Sequence, residues 1–155
     1  MQPKERILSL VTTAEVWTGT YEELPVGARE ESTQLIDGPA IDAFAHAIKS
    51  YNPIHMDGDW TRANTQFPDR IAHGVMTTAL MSQPLVQFCE RFKVRTALLS
   101  TSSKYIRPVV AGDSITTAIH LVEKIDERKR IRFEVESRND RGEVVMIGEL
   151  LEQTL

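Results

Sequence analysis

Ile41, Phe44, Ala45 and Ile48 fall at i, i+3, i+4 and i+7, the spacing of one helix face, and predict an amphipathic helix over residues 39–49. Asp37-Gly38-Pro39 supplies its start: an aspartate placed to cap free amides and a proline tolerated in the first turn. Ahead of it, residues 13–20 read as a short edge strand, and the neighbourhood of Glu31, Thr33 and Leu35 as an extended segment ending at Ile36. Residues 50–73 are irregular, rich in Asn, Asp, Gly and Pro, and longer than ordinary connections, with a helical turn expected around Asp59–Asn64. A long apolar helix follows, from about Val75 to Phe92. Its apolar positions (Val75, Met76, Ala79, Leu80, Met81, Leu85, Val86, Phe88, Cys89, Phe92) take up most of the circumference, as in a helix buried on nearly every side. Pro84 within it should leave a kink or an unpaired carbonyl.

The last third alternates. Val94–Thr101 running on to Ile106, Ser114–Glu123, Arg130–Arg138 and Glu143–Glu152 are four expected strands, and Asn139-Asp140-Arg141-Gly142 a hairpin turn between the last two. An all-apolar helix followed by an antiparallel meander implies an α+β fold in which a sheet curls around a helix.

With 155 residues the chain makes one domain, 1–155. The net charge of -4, with both signs interspersed, excludes a nucleic-acid footprint. The basic run Arg128–Arg132 alternates with Ile131 and Phe133 and reads as a strand with one solvated face. No apolar stretch is long enough for a bilayer and the N-terminus lacks a signal-peptide layout, so a cytoplasmic address with no membrane association is expected. Cys89 is the only cysteine, inside an apolar run; it gives neither a disulfide nor a zinc cluster.

Taken singly, the polar residues of the 50–74 region have structural readings: His55 in a loop, Asn52-Pro53 as a turn, His73-Gly74 as a tight helix entry. Together, two histidines and a glycine bracket a long loop that ends at a buried helix. The first amides of that helix have no intrahelical partner and carry the positive end of its dipole. A thioester carbonyl placed there is stabilised as charge develops on its oxygen, and a nearby imidazole can move a proton on or off carbon. Such a site needs no metal and no redox cofactor.

Asn52-Pro53-Ile54-His55-Met56-Asp57, Ala63, Phe67 and Ile71-Ala72-His73-Gly74-Val75 resemble the hydratase motif of the MaoC-like, R-specific enoyl-CoA hydratase family. Leu24-Pro25-Val26-Gly27, Ile41–Ala45 and Tyr105–Val109 with Gly112-Asp113 extend the similarity from about residue 22 onward. The resemblance implies the hot-dog fold, an antiparallel sheet wrapped around a long central helix at about 75–92. It further implies a homodimer with acyl-CoA at the interface, and coenzyme A present only as part of the substrate. By the same resemblance His55 matches the catalytic histidine, Gly74 the oxyanion-hole amide with His73 beside it, Asn52 the motif asparagine, and Ser82 a serine on the central helix. The family's catalytic aspartate lies five residues before the histidine; that position is Ser50 here, and the preceding glycine is Lys49. Asp57, Asp59, Glu30 and Glu31 are the carboxylates that could substitute. Otherwise His55 acts alone, with Ser50 and Asn52 positioning a water.

Lys93, Lys104 and Arg107 are candidates for the phosphates of coenzyme A, Arg107 first because of its forked geometry. Three functions follow in order. The first is a hydratase or dehydratase of 2-enoyl or 3-hydroxyacyl thioesters. The second, motivated by Ser50, is a catalytically silent acyl-CoA-binding or partner subunit. Thioester hydrolysis comes last, since residues 75–89 hold no carboxylate.

Overall fold

A computed structural model describes residues 17–155. Five antiparallel strands form one sheet in the order β1-β3-β4-β5-β2: β1 Arg29–Ile36, β2 Thr96–Tyr105, β3 Asp113–Ile125, β4 Arg130–Arg138 and β5 Val144–Thr154. Five α-helices accompany it, with α5 packed on its inner face: α1 Gly38–Ile48, α2 Pro53–Met56, α3 Gly58–Asn64, α4 Gly74–Ala79 and α5 Ser82–Phe92. This is the hot-dog arrangement expected from the sequence. Of the expected first strand, residues 17–20 form none, and 13–16 lie outside the described residues. Gly19 instead docks on the end of α5, its N–H donating to the Lys93 carbonyl at 2.9 Å. Any Cβ on Gly19 would collide with the Phe92 carbonyl.

Period-2 alternation does its work in β3 and β4, where Ile115, Ile119, Leu121, Ile131, Phe133 and Val135 all point inward and are buried. They meet α5 through Phe88, whose ring stands edge-on to Phe133 at 4.9 Å. Register shifts at Leu98/Ser100, Leu121/Glu123 and Ser137/Arg138 bend the sheet around the helix. The hairpin turn closes as expected, with the Gly142 N–H donating to the Asn139 carbonyl and Gly142 at φ 75.

The central helix is present but interrupted at Leu80-Met81. Pro84 has no N–H to give the Leu80 carbonyl, and its ring crowds that carbonyl. The chain tightens there: the N–H groups of Leu80 and Met81 donate three residues back, to Thr77 and Thr78, each at 3.2 Å. Nor is the helix enclosed on every side. Val75 and Val86 are exposed, and Val86 borders two open spaces, one of them between α5 and the sheet. Among the described residues no helix is long and apolar enough to cross a membrane.

Candidate active site

Three backbone devices bring His55 and Gly74 together. Helix α1 is capped by Asp37, whose carboxylate accepts from the Ala40 N–H at 2.9 Å, and ends at Lys49 in the left-handed region (φ 56). That reversal lets the Ser50 N–H donate to the Ala45 carbonyl and turns the chain back over the helix. Asn52 then caps α2, its side-chain oxygen accepting from the Ile54 N–H at 3.3 Å while its carbonyl accepts from the His55 N–H. This places His55 on the first turn of α2.

The second strand of the site, Arg70 to Gly74, is clamped from both sides. The Ile71 N–H donates to Ile54, and the Ala72 N–H donates to Val109 at 2.8 Å. Arg70, mostly buried, pairs with Asp42 of α1 at 2.6 Å. The Val109–Asp113 turn that holds Ala72 is itself fixed by Gly112 at φ 100 and by the Asp113 carboxylate, which accepts from the Val110 N–H and from Arg141. The Pro108-Val109…Gly112-Asp113 motif is therefore a support for Gly74, two connections removed from it.

His55 Nδ1 lies 2.7 Å from the Ile71 carbonyl. A carbonyl only accepts, so Nδ1 carries the proton and Nε2 is left with a free lone pair. Burial pushes the imidazole below the ordinary histidine value, and nearby His73 pushes the same way, against the Ile71 hydrogen bond. His55 is thus held as a neutral base with a defined tautomer. Its ring stacks on His73 at 3.7 Å between centroids, and Phe44 packs on His73 at 5.6 Å. His73 is buried; its Nε2 donates to the Ser50 carbonyl at 3.1 Å, which leaves Nδ1 buried without a partner among the described residues. The structure therefore gathers His55, His73, Ser50 and Asn52 into one cluster.

Gly74 opens α4 directly after His73. The N–H groups of Gly74 and Val75 have no acceptor among the described residues. Tyr105 lies across Gly74, close enough that an added Cβ would sit 3.0 Å from the ring. The Tyr105 hydroxyl meets Thr78 at 2.7 Å, and Thr78 meets Ser103 at 2.9 Å. Phe44, Tyr105, Thr78 and the Asp42–Arg70 pair are parts of this site that the sequence reading missed. Thr78 left a signal as a hydroxyl in an apolar helix four residues after Gly74, and Asp42, Phe44 and Tyr105 stand in the segments that carry the resemblance.

The other expected residues lie apart. Ser82 is exposed on α5 beside an apolar cavity. Arg107 donates to the Val144 carbonyl at 2.9 Å, near Glu143. Lys104 faces the opposite side of β2 from Tyr105, toward the outer surface of the sheet. The four carboxylates considered as substitutes are all engaged elsewhere: Asp57 caps α3, Asp59 pairs with Arg62, Glu30 with Arg91 and Glu31 with Arg29.

A family model described as the MaoC like domain matches residues 25–142. The chain belongs to the MaoC-like dehydratase family. Among MaoC-like relatives, it is 34% identical over 132 residues to the 3-hydroxybutyryl-CoA dehydratase of Methylorubrum extorquens, spanning 84% of this chain and 81% of that protein. An (R)-specific enoyl-CoA hydratase of Rhodospirillum rubrum is 28% identical across 83% of this chain and 87% of its own length. The unliganded R-hydratase PhaJ1 of Pseudomonas aeruginosa superposes with a TM-score of 0.75 at 31% identity, over 87% of each chain. Within this MaoC-like domain the clustered histidines, the α4 amides and the clamping turn all fall inside the matched span.

Proposed function

We propose that this protein adds water to, and removes it from, coenzyme A thioesters: a hydratase/dehydratase of 2-enoyl and 3-hydroxyacyl chains. The observation that carries the proposal is the locked tautomer of His55, a neutral base beside the unpaired amides of α4. The substrate class is that of its named relatives. In hydration, His55 Nε2 takes a proton from a water as the water oxygen bonds to C3 of the enoyl group. The double-bond electrons pass to C2 and the thioester oxygen, which the Gly74 N–H receives as it gains charge. The imidazolium then returns its proton to C2, and the sum is one water across the double bond. The Ser50 hydroxyl and the Asn52 amide NH2, left over from capping, hold the water. Arg107 receives the coenzyme A phosphates, Lys104 being turned to the outer surface of the sheet, and no other cofactor takes part.

Purified protein is expected to consume crotonyl-CoA, read as loss of the enoyl thioester absorbance. No turnover across short, medium and branched enoyl-CoAs would overturn the reading in favour of the silent acyl-CoA-binding subunit. That second reading has one specific observation behind it: Ser50 stands at the acid's position, and the four candidate carboxylates nearby in sequence are occupied.

The pH profile follows from the direction of the His55 shift. Burial disfavours the imidazolium, so Nε2 stays unprotonated to lower pH than in an exposed histidine. The acid limb of kcat/KM should therefore have its midpoint below the ordinary value of about 6.5. A midpoint above that value would mean His55 is not the titrating base.

Two copies are proposed to associate through β2. Among the described residues this strand of 10 residues has a hydrogen-bonded neighbour on one side only, β5, and leaves Leu98, Leu99 and Tyr105 exposed. Sedimentation velocity should give a dimer, and Ser100→Pro at this edge should yield monomer. A monomeric wild type would exclude it.

A further inference from the structure

A cavity of about 560 Å³ lies between α5 and the inner faces of β2 and β5, bordered by Thr78, Met81, Leu85, Cys89, Leu98 and Glu152 among others. Its wall is apolar except at a few points, and one of these is out of character. Glu152 is 1% exposed, forms no ion pair among the described residues, and keeps its Oε1 buried with no hydrogen-bond partner. It occupies the inward face of β5 in line with Met146 and Leu150, where alternation calls for an apolar side chain. Burial pushes its carboxyl above the usual range, and the Thr96 hydroxyl offsets only part of that. The group is therefore a buried acid whose ionisation is disfavoured, at the wall of a largely apolar space, an arrangement that costs stability unless something pairs with it.

The cavity approaches the proposed thioester site at its Thr78 end. Thr78 borders it, one helical turn beyond Gly74, and bonds to the Tyr105 hydroxyl whose ring covers Gly74. From Thr78 to Cys89 the helices run roughly 16 Å. Glu152 lies toward the Cys89 end, where Cys89 contacts Thr96 at 3.5 Å. An acyl chain whose carbonyl sits at Gly74 has this space ahead of it.

We infer that the cavity receives the distal part of a medium-length acyl chain carrying a hydroxyl, and that Glu152 recognises that hydroxyl. The inference rests on the thioester reading of Gly74 and His55. A hydroxyl suits Glu152 better than a carbonyl does. A neutral carboxyl presents one O–H and one acceptor oxygen, and only a partner that both donates and accepts serves Oε1 in either state. A terminal methyl would leave that oxygen unpaired. Glu152 is thus a specificity-determining residue that selects among acyl chains without touching the reacting carbons.

Saturated thioesters test this without turnover, because they have no double bond to hydrate. Calorimetric titration would compare hexanoyl-, octanoyl- and decanoyl-CoA with their ω-hydroxy counterparts. At the chain length that reaches Glu152, the ω-hydroxy ester should bind about tenfold more tightly than the plain one. Glu152→Gln, which keeps a donor and an acceptor, should retain the preference, and Glu152→Leu should reverse it. Equal or weaker binding of the hydroxylated esters at every length in the wild type would overturn the inference, with no variant needed. So would a preference that survives in Glu152→Leu. Crotonyl-CoA separates the two readings. If it is hydrated while no hydroxyl preference appears, only the Glu152 assignment falls. If the preference appears without hydration, the catalytic reading falls and the chain-recognition site stands. If no ester binds, both fall.

Discussion

His55→Ala is expected to lower kcat/KM for crotonyl-CoA by about a thousandfold, the size of a general acid–base contribution when one group both removes and returns the proton. The loss should fall on kcat. In the proposed reading the α4 amides and the cavity hold the substrate, and neither includes His55, so the affinity for butyryl-CoA should be nearly unchanged. The variant also loses the hydrogen bond to the Ile71 carbonyl and the stack on His73, which together cost about 1–2 kcal/mol of stability. That leaves a folded protein, since Ile71 is still tied to Ile54 and Ala72 to Val109. Stopped assays with crotonyl-CoA, alongside calorimetry with butyryl-CoA, separate the effects. Retention of most of the activity would remove His55 from the reaction, and loss of butyryl-CoA binding would make it a structural residue. The buried His73 cannot take over. Its Nε2 proton is committed to Ser50, and its Nδ1 is enclosed.

Much of this arrangement is legible in the chain, for local reasons. The Asp37 cap, the Asn139–Gly142 turn and the inward alternation of β3 and β4 are decided by residues close in sequence, and the structure follows them. Pro84 announces the break in the central helix, although the chain absorbs it at Leu80-Met81, before the proline, because the crowded carbonyl is the one four residues back. The motif also announces His55 and Gly74. It does not announce how they are held. The His55–His73 stack joins residues 18 apart, and the Asp42–Arg70 pair residues 28 apart, across a loop whose path depends on tertiary clamps rather than propensity. Tyr105 reads as an ordinary strand residue until the sheet lays it over Gly74. Glu152 is a different case. An acid on the apolar face of a strand was visible as a broken alternation, and only its burial gave the break a meaning.

Ser50→Asp is the change expected to raise activity most. The Ser50 backbone carbonyl accepts from His73 at 3.1 Å, and His73 stacks on His55, so position 50 adjoins the histidine cluster and a carboxylate there is expected to act on it. Two consequences follow with opposite signs for stability and rate. The residue sits just past the C-terminal end of α1, where the helix dipole disfavours negative charge by about 0.3–1 kcal/mol, and Lys49 already holds a left-handed turn that glycine would adopt without strain. A serine avoids the electrostatic cost. For the reaction, a second group able to accept a proton turns a single-base site into an acid–base pair, which should increase kcat on crotonyl-CoA by about a hundredfold. The carboxylate also favours the imidazolium, so the acid limb of the pH profile should move upward relative to wild type, against the effect of burial. Ser50→Ala provides the opposite comparison. If the hydroxyl only steadies the water, its removal should cost about tenfold, the worth of one hydrogen bond. A folded Ser50→Asp protein with unchanged kcat and an unmoved acid limb would show that residue 50 does not address the reacting water, and that His55 works without any partner at this position.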